Sequence, residues 1–240
     1  MTTAARRWYI ASGVFAGCLA IYSLSIAVQQ AREAARKSQC KNNLKQIGLA
    51  LLTYHDSYGC FPPPYITDEE GRPLHSWRVL IRPYLDASPF YNSYRFDEPW
   101  DGTNNSPLIA RERGLACFRC PSENHDDIFT TDYLAVVGPD TAWNVERPVS
   151  KADMTDGPSN TLLIVEVVGS GIHWAEPRDL TLDQMAPTVN AKLGLGISSR
   201  HAGGAYGLMA DGSVVFLSHK LSAATIRGLL TIDGGENVSP

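Results

Sequence analysis

The residues best placed to do chemistry are His201 and Asp211, which are separated by nine residues, with Gly212 directly after. A histidine and a carboxylate beside a tight hairpin could return to one end of it, where they would ligate a metal or move a proton. The reading adopted is structural. His201 hydrogen-bonds loop backbone, and Asp211 makes an Asx turn that tolerates positive φ. A metal or small-ligand site, and catalysis, are the competing readings. Asp156, Ser159 and Asn160 precede the most apolar stretch of the chain. Oxygen-rich loops of this kind can bind calcium, but the spaced acidic run of a calcium loop is missing. Turn and cap use is therefore expected of Asp156 and Asn160. His55-Asp56, His125-Asp126-Asp127 and His173-Trp174-Ala175-Glu176 belong to no nucleophile elbow, phosphate loop or HExxH spacing. They read as surface or capping groups, so no catalytic residue, metal or cofactor is expected.

Five cysteines (Cys18, Cys40, Cys60, Cys117 and Cys120) suit an oxidising compartment. Cys117-Phe118-Arg119-Cys120 is a lone CxxC. Zinc needs a second pair of ligands, for which His125 is the only near candidate, and a thioredoxin-like βαβ frame is absent. A structural disulfide is favoured. If the helix between them is continuous, Cys40 and Cys60 stand about 27–30 Å apart and cannot join. Cys117 and Cys120, at most about 10 Å apart, cannot reach both. The pairing among Cys40, Cys60, Cys117 and Cys120 stays open on these grounds.

The elements that must hold these residues begin with a long helix. Residues 1–7 form a short tail, and Trp8 to Val28 reads WYIASGVFAGCLAIYSLSIAV without a charge. At 1.5 Å per residue such a helix spans about 30 Å, the thickness of a hydrocarbon core. Arg6, Arg7 and Arg32 flank it, with Trp8 and Tyr9 as interfacial anchors. A cleaved signal peptide ending at Ser25-Ile26-Ala27 is the competing reading, but its apolar core would be longer than the usual ~7–15 residues. Gly13 and Gly17 form a GxxxG spacing that would let a second helix approach closely.

No Gly or Pro interrupts the chain from Gln29 until Gly48. Leu44, Ile47, Leu51, Tyr54 and Tyr58 recur at spacings of three and four, which predicts an amphipathic helix over 29–58. Glu33 precedes Lys37 by one turn, the favourable order for an ion pair. Arg32, Arg36, Lys37, Lys41 and Lys45 make this half basic, to face anionic lipid or simply water. Gly59 and Pro62-Pro63-Pro64 end the helix. In residues 59–240 a short helix is expected over Trp77–Leu85 and a surface loop over Asp97–Pro107. Strands are expected at Tyr133–Val137, Thr161–Val168, Ala205–Ala210 and Val214–Leu217. Thr161–Val168 should be central, with Glu166 as the exception to explain. Asp211-Gly212 reads as a type I′ hairpin turn, and Ser222 as the cap of a last helix through Leu230. Helices and antiparallel strands are segregated, an α+β class.

With 240 residues, 44% apolar and 19% charged, the chain can build a core. A net charge of -4 provides no field to recruit nucleic acid.

The run AVQQAREAARKSQCKNNLKQIGLALLTYHDSYGCFPP (Ala27–Pro63) resembles the N-terminal signature of a bacterial family known as domain of unknown function 1559. SWRVLIRPYL (Ser76–Leu85), CPS (Cys120–Ser122), DGPSNTLLIVEV (Asp156–Val167) and RHAGGAYGLMADGSVVFL (Arg200–Leu217) extend the resemblance. The last fits the H-X9-DG motif, His201 to Asp211-Gly212. The resemblance implies a pilin-like fold, a helix that spans the membrane with its first half and backs an antiparallel sheet with its second. It also implies a Cys40–Cys120 pair. Family members usually open with a Gly followed by Phe-Thr-Leu-Ile-Glu, whereas this segment reads RRWYIASGVFAGCLAIYS. What remains is a plain anchor.

The expected protein is therefore a non-enzymatic, pseudopilin-like envelope protein of the bacterial cytoplasmic membrane, with its C-terminal domain outside the cytoplasm. Its partners would be membrane lipid and other pilin-like subunits, with a role in secretion or filament-like assembly. The alternative is a tethered module that captures a solute or glycan between the loops Asp97–Pro107 and Asn124–Thr131.

Overall fold

The computed structural model describes residues 3–85, 89–112, 116–123 and 128–234, with side chains in the first helix described at residue 19 and from residue 21 on. The chain divides into two compact units, Met1–Ser38 and Gln39–Pro240. Helix α1 runs Thr3–Tyr58. In the first unit Glu33 pairs with Arg36 at 2.6 Å, one helical turn away.

The second unit is α+β. After α1 come strands β1 (Tyr65–Thr67) and β2 (Pro73–Ser76), then the short helices α2 (Trp77–Leu80), α3 (Arg82–Leu85), α4 (Phe90–Ser93) and α5 (Asn105–Arg111). The strands β3 (Tyr133–Leu134), β4 (Val136–Val137), β5 (Leu162–Glu166), β6 (Leu180–Thr181), β7 (Gly204–Met209) and β8 (Val214–Ser218) follow, and α6 (Ala223–Leu230) comes last. The main sheet has four antiparallel strands in the order β3-β5-β7-β8. Strands β1 and β2 pair antiparallel, and β4 and β6 make a two-residue parallel pair.

Burial on α1 follows the helical period. Cys40, Asn43, Leu44, Ile47, Ala50 and Leu51 are buried, so one face enters the core of the second unit. Gly48 permits close approach to β7, since a Cβ there would lie 2.8 Å from Leu208 Cδ1. Tyr54 is half-buried, but Tyr58, expected on this face, is 62% exposed and lies against the Tyr54 ring. The helix ends where the sequence says. Gly59 takes φ 77° and its N–H donates to the His55 carbonyl at 2.7 Å.

Several expectations need correction. The Trp77–Leu85 helix is two short ones, α2 and α3, separated at Ile81. Asp97–Pro107 is not loop throughout, because α5 begins at Asn105. Glu98 accepts the Asn104 and Asn105 backbone N–H groups there, supplying a cap from outside the helix. Tyr133–Val137 breaks at Ala135, whose N–H donates to the Asp179 carboxylate, and its halves join different sheets. Asp179 also takes the buried Arg78 as ion partner and the Trp77 indole N–H. β5 is central and wholly buried, as expected.

The turn after β7 is not type I′. Asn190 is the one non-glycine residue with positive φ among those described, so Asp211 cannot take the geometry that type I′ demands. Instead, Gly212 N–H closes onto the Met209 carbonyl and Gly212 alone is left-handed, giving a three-residue Ala210–Gly212 loop. Ser222 caps α6 by accepting the Thr225 N–H at 3.0 Å, as expected.

Candidate functional site

His201 and Asp211 do not share a site. His201 sits just before β7 and Asp211 just after it, so about 20 Å of extended chain separates them. Asp211 is exposed and accepts the Ser213 N–H at 2.8 Å, the expected Asx turn. Its own N–H donates to the Pro158 carbonyl and Ala210 N–H to Thr161, so this hairpin tip docks on the 156–161 loop. In that loop the Asn160 side chain donates to the Asp156 carbonyl at 2.8 Å and Gly157 takes φ 91°. The two glycine-containing motifs thus meet as interlocked turns. The histidine clusters are used locally too. His173 Nδ1 accepts the Ala175 N–H while Glu176 accepts the His173 N–H, and His55 Nε2 accepts the Lys151 N–H. Residues 124–127, and with them His125-Asp126-Asp127 and half of the Asn124–Thr131 side of the supposed solute mouth, lie outside the described residues. Two grooves among the described residues lie elsewhere. One of about 370 Å³ is lined by Leu182, Met185, Ile226 and Arg227, and another of about 280 Å³ by Ser170, Thr181 and Gln184.

His201 instead joins three residues from distant parts of the chain. Cys40, Cys120, Glu166 and His201 are all buried and place one ligand atom each within 4.8 Å of the others. Cys40 comes from the buried face of α1 and Glu166 from the last position of β5. Cys120 follows a single 3-10 turn, with its backbone N–H held by Asp132 Oδ2 at 2.6 Å. Two glycines set His201. Gly203 takes φ 93°, and a Cβ on Gly204 would lie 2.0 Å from the Leu217 carbonyl oxygen. The HAGG sequence is therefore the bend that lets β7 start at once after the histidine. His201 N–H donates to Ser199 Oγ at 3.1 Å.

Within the cluster, Cys40 Sγ and Cys120 Sγ are 2.8 Å apart, and His201 Nε2 lies 3.2 Å from the first and 3.6 Å from the second. Glu166 Oε1 stands 3.9 Å from His201 Nε2 and accepts the Ser199 hydroxyl at 2.8 Å. Glu166 Oε2 accepts the Tyr206 N–H at 3.0 Å. Burial pushes the Glu166 carboxyl above its ordinary range, while the Cys120 thiol, hydrogen-bonded to Cys40, draws the Cys40 thiol down to about 5. Cys120 is raised in turn by the same contact. Tyr133 completes the walls. Its hydroxyl is buried beside Cys40, and burial followed by the neighbouring Cys40, Cys120 and Glu166 raises its pKa.

Sequence reasoning marked Glu166 as an anomaly and the resemblance paired Cys40 with Cys120, but neither placed His201 beside them. The CxxC misled, because only Cys120 enters the cluster while Cys117 and Cys60 stay outside it. Tyr133 gave no signal beyond its type.

A long helix whose buried face backs a four-stranded antiparallel sheet, tied at one point to a sealed Cys₂HisGlu cluster, defines a helix-backed α+β domain. Residues 29–135 match the family described as Protein of unknown function (DUF1559), and this segment of the chain belongs to that family. No curated protein and no solved structure gives a significant match to the chain. Among the described residues no helix is long and apolar enough to cross a membrane. Of the expected span over 8–28, only residue 19 and residues 21–28 have described side chains, and Gly13 and Gly17 lie outside them.

Proposed function

We propose that the chain is a non-enzymatic, single-pass, pilin-like envelope protein, anchored in the bacterial cytoplasmic membrane with residues 59–240 outside the cytoplasm. The observation that carries this reading is a row of bare apolar side chains on α1. Leu19, Ile21, Tyr22, Leu24, Ile26 and Val28 are between 38% and 71% exposed, with no charged residue from Trp8 to Val28. Such an apolar surface, which runs all round the helix, is costly in water and is satisfied by lipid or by like helices. The family match and the long helix backing an antiparallel sheet support it. The anchor would work by helix packing, with Gly13 and Gly17 allowing close approach between subunits. All four residues of the titratable cluster are buried, which fits a non-enzymatic role.

The test is fractionation of the full chain followed by disulfide crosslinking through single cysteines placed along Gly13–Ile26. Retention in membranes after alkaline washing, with a ladder of oligomers at one helical face, is the expected result. A chain released into the soluble fraction without detergent would sink the anchor. A strict monomer in the membrane would remove the assembly role.

A further inference from the structure

We propose that Cys40, Cys120, His201 and Glu166 form a closed, structural zinc site. The donor set of two sulfurs, one imidazole nitrogen and one carboxylate oxygen is the mixture that a borderline-soft, tetrahedral ion accepts. The sulfur separation does not choose between zinc and a disulfide. At 2.8 Å it is about 1 Å shorter than two thiolates on one tetrahedral zinc would show, and longer than an S–S bond. Small rotations about the cysteine side chains reach either.

The other groups decide. A disulfide is neutral and takes no ligand, so it would leave the buried Glu166 carboxyl with only the His201 ring, 3.9 Å away, to answer a charge on it. The same Glu166 is already oriented by the Ser199 hydroxyl and the Tyr206 N–H, as a metal-bound carboxylate is. His201 is likewise steered at its second nitrogen, with Nδ1 at 3.4 Å from Ser122 Oγ. The buried Tyr133 hydroxyl lies beside Cys40, where it can donate to a metal-bound thiolate. Binding releases the Cys120 thiol proton to solvent, and those of Cys40 and Glu166 where these enter protonated. Neither of the two grooves described above is lined by a member of the cluster. The ion is a clamp. It ties α1, the 116–123 turn, β5 and the entry to β7 at one point. This inference goes beyond the anchored, pilin-like reading and does not depend on it.

The test uses the full chain isolated under inert gas without chelator or added reductant. Elemental analysis should find one zinc per chain. Mass spectrometry should find Cys40 and Cys120 shielded from alkylation until a chelator is added, with no reductant needed. Cobalt(II) exchanged into the wild-type chain should give thiolate charge-transfer and tetrahedral ligand-field absorption. Glu166→Gln and His201→Gln should each weaken zinc binding by more than about 100-fold, and Tyr133→Phe by about tenfold. Cys60→Ser and Cys117→Ser should leave it unchanged. Where a ligand variant fails to fold, the wild-type cobalt spectrum still decides. Zinc-free chain whose Cys40 and Cys120 are freed only by reductant would overturn the proposal in favour of a disulfide. Zinc-free chain with reactive thiols, or cobalt lacking thiolate absorption, would overturn it outright.

Discussion

Single buried polar groups in this protein are matched to one protonation state. His75 shows this outside the cluster. Its Nε2 lies 3.1 Å from the Phe96 carbonyl, which can only accept, so that nitrogen carries the proton. Nδ1 then accepts the Tyr94 hydroxyl at 2.8 Å, and the neutral ring is fully satisfied. A second proton would reverse the Tyr94 bond and place a charge in a fully buried site, and burial holds the pKa below the ordinary histidine value. Below about pH 6.5 the unfolded chain takes up a proton that the folded chain refuses. The His75 contribution is therefore complete above about pH 6.5 and is lost as the pH falls, with a slope of up to about 1.4 kcal/mol per pH unit. His75→Gln should lower stability at pH 7 yet flatten that slope between pH 7 and pH 5, measured by urea denaturation at each pH. An unchanged slope would refute this assignment.

At the scale of the element, α1 has one face whose contacts hold the second unit together. Leu44 is fully buried, whereas Leu49, five residues later, is 67% exposed. Leu44→Ala should cost about 2–5 kcal/mol through lost burial and a cavity. Leu49→Ala should stay within about 0.5 kcal/mol. Equal effects in denaturant titrations of the two variants would mean the face is wrongly drawn. This periodicity was legible because 3.6-residue spacing is local, and so were the Gly59 stop, the Ser222 cap and the strands around Asp211-Gly212. What local pattern could not carry was anything set by a distant partner. Ala135 breaks a strand because its N–H goes to Asp179, 44 residues on. Asn105 starts a helix because Glu98 caps it from outside. The cluster is illegible for the same reason. Cys40 and His201 lie 161 residues apart, and only the packing of α1 against the sheet brings them together. The type I′ reading failed more subtly, since Asp-Gly serves equally in a three-residue loop and only the register of β7 on β8 separates the two.

For the molecule as a whole, the boundary between the units falls at Ser38/Gln39, inside α1 rather than at its end. Among the described side chains of α1 the buried ones all lie from Cys40 onward, so the second unit owns the helical face that its core requires. A domain boundary drawn at Gly59, where the helix stops, would strip that face away. It would also remove Cys40 from the cluster and expose Leu208, Tyr133 and Ile164 of the same core. A chain beginning at Gln39 should fold with a cooperative melt. Its midpoint should stay within a few degrees of the full chain, since about 1 kcal/mol moves a domain of this size by only ~2–4 °C. A chain beginning at Cys60 should show no cooperative transition and should bind a dye specific for exposed apolar surface. The contrast is decisive in either direction. If the Gln39 chain failed to melt cooperatively, the first unit would be part of the fold. If the Cys60 chain melted as the full chain does, the buried helical face would be dispensable and α1 would serve only as an anchor.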